Sequence, residues 1–157
     1  MLDEAYQKLY NYQPMTDRQK MYYCNMYFPL INYDFVTMVT NEKDEIVAVG
    51  LGMPSLSDAL RKCQGRLFPF GWYHLIKALK AKKMTDFDLL LIAVRPDYQD
   101  KGVNSLIFNE MTPYFAKYGI QRVETTSILE SNSKNIANFL PFDHIQHKRR
   151  RAYIMEL

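Results

Sequence analysis

The sequence predicts an α/β domain built on a mixed, twisted sheet, and three observations predict it. Residues 87–94 form a nearly continuous apolar run that enters a proline turn, a short polar loop and a strongly periodic stretch ending at Gly119. A second β-rich segment follows at 122–127, so strand, helix and strand come in the order of a right-handed parallel crossover. Upstream, two β-rich runs at 35–40 and 46–53 flank the polar turn 41–45, the pattern of an antiparallel hairpin.

The elements follow in order. Leu2, Ala5, Tyr6, Leu9 and Tyr10 recur at helical spacing, with Asp3 and Glu4 early and Lys8 late, which predicts a helix over 2–12 closed by Pro14. Thr16 with Gln19 three residues on is a capping box for a second helix that Pro29 stops. The run 46–53 lacks alternation and suits a strand buried on both faces. Pro54 ends it, and Ser55 or Ser57 can cap a short helix through Lys62. After Phe68-Pro69-Phe70-Gly71, residues Trp72, Leu75, Ile76 and Leu79 sit at helical positions, and a basic end from Lys77 to Lys83 suits a helix C-terminus. The helix expected over 102–118 gathers Val103, Leu106, Ile107, Met111, Tyr114, Phe115 and Tyr118 on one stripe. Pro113 should kink it and Gly119 should cap it. A short helix over 132–140, ended by Pro141, and a last strand over 152–155 complete the reading.

A chain of 157 residues fits one domain, and 12 Tyr and 9 Phe predict an aromatic-rich core. With no long uncharged apolar run and no signal-peptide pattern over 1–13, the expectation is a soluble, cytoplasmic protein without a membrane role. Cys24 and Cys63 share no short spacing, and His74, His144 and His147 lack ligand spacing, so neither a disulfide scaffold nor a metal is expected. The net charge is +3, with Lys148, Arg149, Arg150 and Arg151 consecutive. That run is expected to be a solvated basic face, since no aromatic residues interleave it as in a nucleic-acid module.

The loop Gln99-x-x-Gly102-x-Asn104 lies where the strand ends and the helix begins. A helix start offers unpaired N–H groups and the positive end of the helix dipole, an anion site. Gly102 permits a tight turn and close approach, and N–H groups from Asp100, Lys101, Gly102, Val103, Asn104 and Ser105 can point at phosphate oxygens. An ordinary strand-to-helix loop with a glycine turn would carry the same residues.

Strand, turn and loop together resemble the acyl-CoA pyrophosphate loop of the GNAT superfamily of N-acyltransferases. The superfamily pattern is Gln/Arg-x-x-Gly-x-Gly/Ala, so Asn104 departs at the last position. Residues 130–142 resemble the superfamily's late helix: Asn132 matches an Asn that often touches the cofactor, while Phe139 stands where many members carry a proton-donating Tyr. Phenylalanine cannot donate a proton. The phrases at 67–71, 94–99 and 147–151 resemble the C-terminal part of long, largely uncharacterised bacterial GNAT-like proteins. The order of elements over 33–157 is that of the superfamily, but its first strand is not evident, so the chain reads as a fragment or as a short natural variant.

The resemblance implies a GNAT-like sheet with helices on both faces and a V-shaped opening between parallel strands 87–94 and 122–127. It implies acetyl-CoA or another acyl-CoA as co-substrate, no metal, and a small-molecule or peptide amine as acceptor. Transfer would proceed by direct attack in a ternary complex; the alternative is a degenerate fold that binds acyl-CoA or a partner without turnover. The cofactor-binding residues would be Ala93, Val94 and Arg95 toward the pantetheine, Gln99, Asp100, Lys101, Gly102, Val103, Asn104 and Ser105 toward the pyrophosphate, and Asn132. Glu124 is a candidate base for the amine or else a structural carboxylate paired with Arg122 or a nearby tyrosine, and Tyr98 and Tyr153 are candidate acids or packing residues. The run 68–72 either lines an acyl or acceptor pocket or packs hydrophobically. A homodimer and a further N-terminal domain both stay open.

Overall fold

The computed structural model describes residues 1–10 and 12–155. Residue 11, inside the expected opening helix, and residues 156–157 lie outside them. Two compact units are formed, 1–126 and 127–157. The first holds one four-stranded sheet in the order β1-β2-β3-β4: β1 is Val36–Thr40, β2 Ile46–Pro54, β3 Asp86–Val94 and β4 Arg122–Thr125. The first two pairings are antiparallel, while β3 and β4 run parallel with Asp86 opposite Arg122 and Leu89 opposite Thr125. The expected crossover between parallel neighbours is therefore present, with α5 (Val103–Tyr118) as its helix.

Each pairing has a local cause. The β1–β2 turn is closed by the Asn41 side chain, whose oxygen accepts from the N–H groups of Lys43 (2.9 Å) and Glu45 (3.0 Å). At the start of the parallel pair the Arg122 guanidinium donates twice to Asp86, at 2.6 and 3.0 Å. On α5, Val103, Ile107 and Met111 of the expected stripe are buried, whereas Leu106 is exposed. The helix comes down on Gly50 of β2, where a Cβ would lie 2.3 Å from Cγ2 of Ile107. Beside it Phe35, Phe87, Phe115 and Tyr118 interlock, with ring centroids 4.8 Å (Phe35–Phe87), 5.2 Å (Phe87–Phe115) and 4.9 Å (Phe35–Tyr118) apart. Edge and tilted aromatic contacts of this kind add about 0.5–1.5 kcal/mol each beyond their burial.

The helices before β3 are short. α2 (Asp17–Tyr27) starts at the expected capping box, Thr16 and Gln19 exchanging both bonds. α1 ends at Tyr6 rather than running to 12. Tertiary contacts override its periodicity: Tyr12 folds back to stack on Tyr6 at 6.3 Å, and its hydroxyl donates to Asp3, which also takes Lys20 of α2 at 3.1 Å. α3 (Ser57–Lys62) has Leu56 as its N-cap residue, and α4 covers Gly71–Leu79. Pro54 is the last residue of β2 rather than a residue beyond it, a position where a missing N–H costs little. α5 runs on through Pro113 and ends at Gly119, whose φ of 75° is the left-handed cap geometry.

In the second unit, α6 (Ser133–Ala137) is shorter than expected and continues as i→i+3 turns through Phe142. The strand expected over 152–155 is not formed among the described residues. An apolar run becomes a strand only where a sheet edge pairs with it, and no such pairing is present there.

Candidate active site

β3 pairs with β2 over residues 87–94 but with β4 only as far as Leu89. The β2–β3 register passes from Leu51 opposite Leu91 to Gly52 opposite Leu89, so Leu90 is a bulged, extra residue. The last bonds across to the β4 side come from Thr126, its N–H to the Leu89 carbonyl (3.2 Å) and its hydroxyl to the Leu90 carbonyl (3.4 Å). Beyond them, among the described residues, no strand pairs with that side of β3. This fork is the V-shaped opening.

Strand alternation decides which groups face the fork. The Arg95 N–H donates to Val47 of β2 at 2.8 Å, so Val94 and Ile92 turn their main-chain groups the other way. Both outward carbonyls are met by side chains of the chain itself. Tyr6 of α1 donates its hydroxyl proton to the Ile92 carbonyl at 2.7 Å, and Gln99 donates its amide N–H to the Val94 carbonyl at 3.1 Å.

The loop after β3 is braced from one side and open on the other. Arg95 forks onto Asp97 at 2.7 and 2.9 Å, reaches Glu45 at 3.4 Å and lies over the Tyr98 ring, its Cζ 4.8 Å from the ring centroid. Lys101 lies over the same ring at 5.2 Å, and Asn41 donates to the Tyr98 hydroxyl at 3.3 Å. The Arg95 guanidinium holds the Asp97 carboxyl below its usual range, and Asn41 followed by Arg95 does the same for Glu45. Asp100 (φ 60°) and Gly102 (φ 76°) both take left-handed backbone directly before α5. A Cβ on Gly102 would meet nothing within 4 Å, and the first turn of α5 carries no acid. Val103 is buried and anchors that turn, while half-buried Asn104 and exposed Ser105 complete it. Left-handed residues leading into a helix start, with open space above a glycine, can receive an anion on main-chain N–H groups.

The remaining candidates fall elsewhere. Tyr98 braces the loop through the Asn41 bond and its two cation contacts. Glu124 is exposed on β4, opposite Asp88, one residue pair before the strands part. Asn132 caps α6, its side-chain oxygen accepting the Asn135 N–H at 3.2 Å, and Phe139 lies in the turn that follows; both belong to the 127–157 unit. Tyr153 is exposed in the same unit. Phe68, Pro69 and Phe70 do line a cavity of about 240 Å³, together with Lys62, Arg66 and His74 among others. It lies between α3 and α4, which leave the sheet where Pro54 meets Phe87 at the start of β3, whereas the loop follows the other end of that strand. Sequence reasoning missed the Tyr6 bond to Ile92, and it placed Gln99 toward the pyrophosphate where its amide turns back onto Val94. The only signal for Tyr6 was its place on an apolar helical stripe, which a packing residue gives equally well.

Solved structures share this architecture. Naa20 of Chaetomium thermophilum, solved in complex with a bisubstrate analogue, superposes with a TM-score of 0.53 over 88% of this chain and 61% of that one, at 13% identity. The aminoglycoside acetyltransferase meta-AAC0020 from an uncultured soil metagenomic sample, solved with trehalose, gives 0.51 over 99% and 84%, at 11% identity. The fold is the GNAT fold. A tetramutant of the BH1408 protein from Bacillus halodurans shares this GNAT fold at a TM-score of 0.53, covering 97% of this chain and 84% of that one at 11% identity. By sequence, Protein YghO of Escherichia coli K12 is 26% identical in a 125-residue match that covers 68% of this chain and 32% of that protein. The chain thus spans about a third of that relative's length. No protein-family model matches the chain. Among the described residues, no helix is long and apolar enough to cross a membrane, and no cluster of His, Cys, Asp and Glu could hold a metal ion.

Proposed function

We propose that this chain moves an acetyl or longer acyl group from acyl-CoA to an amine. The observation that carries the reading is the loop entering α5, with left-handed backbone at Asp100 and Gly102, open space above Gly102 and no acid in the first helical turn. A diphosphate there would meet N–H groups of residues 100–105, the positive helix end and the Lys101 ammonium. The outward main-chain N–H groups of Val94 and Ile92 would meet the pantetheine amides much as an added strand meets a free sheet edge, whereas Ala93 and Arg95 turn theirs to β2.

In the transfer, the amine nitrogen bonds to the thioester carbonyl carbon, the carbon–sulfur bond breaks with its electron pair on sulfur, and the amine loses one proton. Glu124, beside the fork, is the proposed acceptor of that proton, directly or through water. Phe139 can give none to the leaving sulfur, so water supplies it. Most of the acceleration would then come from holding amine and thioester together and from main-chain donors at the strand end. Calorimetry with acetyl-CoA and CoA, followed by a thiol-release assay over amines, polyamines, amino acids and peptides, tests the reading. Saturable binding and thiol release with at least one amine are expected; no binding at about millimolar ligand would remove it. A binding protein without turnover is the second reading. Phe139 favours it, as does the Gln99 amide, which is turned back onto Val94 rather than outward.

A further inference from the structure

We propose that the Tyr6 hydroxyl holds the amine acceptor at the reacting end of the fork, taking one of its N–H groups while bonded to the Ile92 carbonyl. The inference rests on the acyltransferase reading and adds a residue outside the loop. If the pyrophosphate sits at 99–105, the pantetheine runs back along the outward groups of β3, past Val94 and toward Ile92. Its reactive end then arrives between Ile92 and the Leu90 bulge, and the Tyr6 hydroxyl borders that stretch at the Ile92 carbonyl, reaching across from the N-terminal helix.

The hydroxyl is suited to this role by its bonding. It has one proton, given to Ile92 at 2.7 Å, and its lone pairs remain to accept an N–H. An amine held through one N–H can direct its own lone pair at the thioester carbon. Burial, with a smaller push from Tyr12, raises the Tyr6 pKa to about 12, so the group keeps its proton over any working pH and neither gives nor takes one during transfer. Its direction is fixed from behind. Tyr12 stacks on the Tyr6 ring, Tyr12 bonds Asp3, and Asp3 holds Lys20 of α2, so α1, which packs on β3, is braced from α2.

Tyr6→Phe removes the oxygen and leaves the ring, its stacking and most of its packing. The experiment measures kcat and KM for the best amine of the panel, KM and Kd for acetyl-CoA, and thermal midpoints, in wild type, Tyr6→Phe and Tyr12→Phe. Tyr12→Phe breaks the Asp3 bond and loosens the same corner without touching β3, so it reports a merely structural contribution. For Tyr6→Phe the expected result is an amine KM raised about tenfold, the loss of roughly one hydrogen bond, with acetyl-CoA affinity unchanged. Tyr12→Phe should keep the amine KM near wild type. An unchanged amine KM in Tyr6→Phe overturns the proposal, and so does an equal rise in Tyr12→Phe. Wild type that binds no acetyl-CoA and releases no thiol brings down the acyltransferase reading and this role with it, a result distinct from active wild type with an indifferent Tyr6→Phe.

Discussion

At Gly102 a substitution can fail for two separate reasons, and the structure separates them. Its φ of 76° strains any residue with a Cβ, yet nothing lies within 4 Å of where that Cβ would stand. Gly102→Ala should therefore cost about 1 kcal/mol of stability through the backbone and leave acyl-CoA affinity within severalfold of wild type. Gly102→Glu carries the same strain and adds a carboxylate in the anion site, so calorimetry should show binding abolished. Equal loss in both would mean that loop conformation, not the anion site, controls affinity. Glu124 has its own test. Glu124→Gln should lower turnover by about 10²–10⁴ with CoA affinity unchanged, and alkaline pH should partly restore it as more acceptor amine becomes neutral. An unaltered rate would leave water as the base. The left-handed turn at Gly102 before α5 was legible in the sequence, because glycine and a strand-to-helix loop announce their geometry. Tyr6 was not, because its partner is a main-chain carbonyl 86 positions away, and no local pattern encodes that contact.

Elements were legible where local chemistry agrees with tertiary packing. The capping box at Thr16, the hairpin turn at Asn41 and the Gly119 cap each form where the sequence places them, since the partner groups lie within a few residues. Lengths were less legible. α1 stops at Tyr6 because Tyr12 and Lys20 converge on Asp3, and β4 stops at Thr125 because the strands part there. The seat of α5 on β2 is a contact of the same tertiary kind, and it makes a quantitative prediction. In Gly50→Ala the new methyl would stand 2.3 Å from Cγ2 of Ile107 and 3.1 Å from Cε of Met111, both on fully buried side chains. Urea unfolding should show a loss of about 1–3 kcal/mol, the usual range for overpacking. Adding Ile107→Leu removes the clashing branch at similar volume, so the double variant should be more stable than the sum of the two single effects. Simple additivity would mean that the helix shifts bodily and Ile107 is not the point of contact.

For the whole molecule, the hairpin and the parallel crossover followed from the sequence pattern, while the antiparallel pairing of β2 with β3 and the division at residue 126 had no signal in composition or linker chemistry. Within the first unit, distant segments are tied by carboxylates. Asp34, just before β1, takes bonds from Lys117 at 2.6 Å and from the Tyr118 hydroxyl at 2.8 Å at the end of α5, and Asp86 with Arg122 pins the start of the parallel pair. The Lys117 ammonium, with help from Tyr118, lowers the Asp34 pKa below 3.8, and the Arg122 guanidinium does the same for Asp86. The sign of the pH effect follows. Above the unfolded value both states are ionised and each tie contributes in full. Between the unfolded and the lowered folded value the unfolded chain takes up a proton that the folded one refuses, so stability falls as the pH falls. Below the folded value nothing of the contribution is left. The groups are substantially exposed, so added salt should shrink the effect. Thermal midpoints should stay level from neutral pH down to about pH 4 and then drop. At neutral pH, Asp34→Asn and Asp86→Asn should each melt below wild type, with the gap closing as the pH approaches about 2. A gap that persists undiminished at the acid end would mean that these side chains hold the fold by shape and neutral hydrogen bonds, and that charge contributes nothing to the tie between β1, β3, α5 and β4.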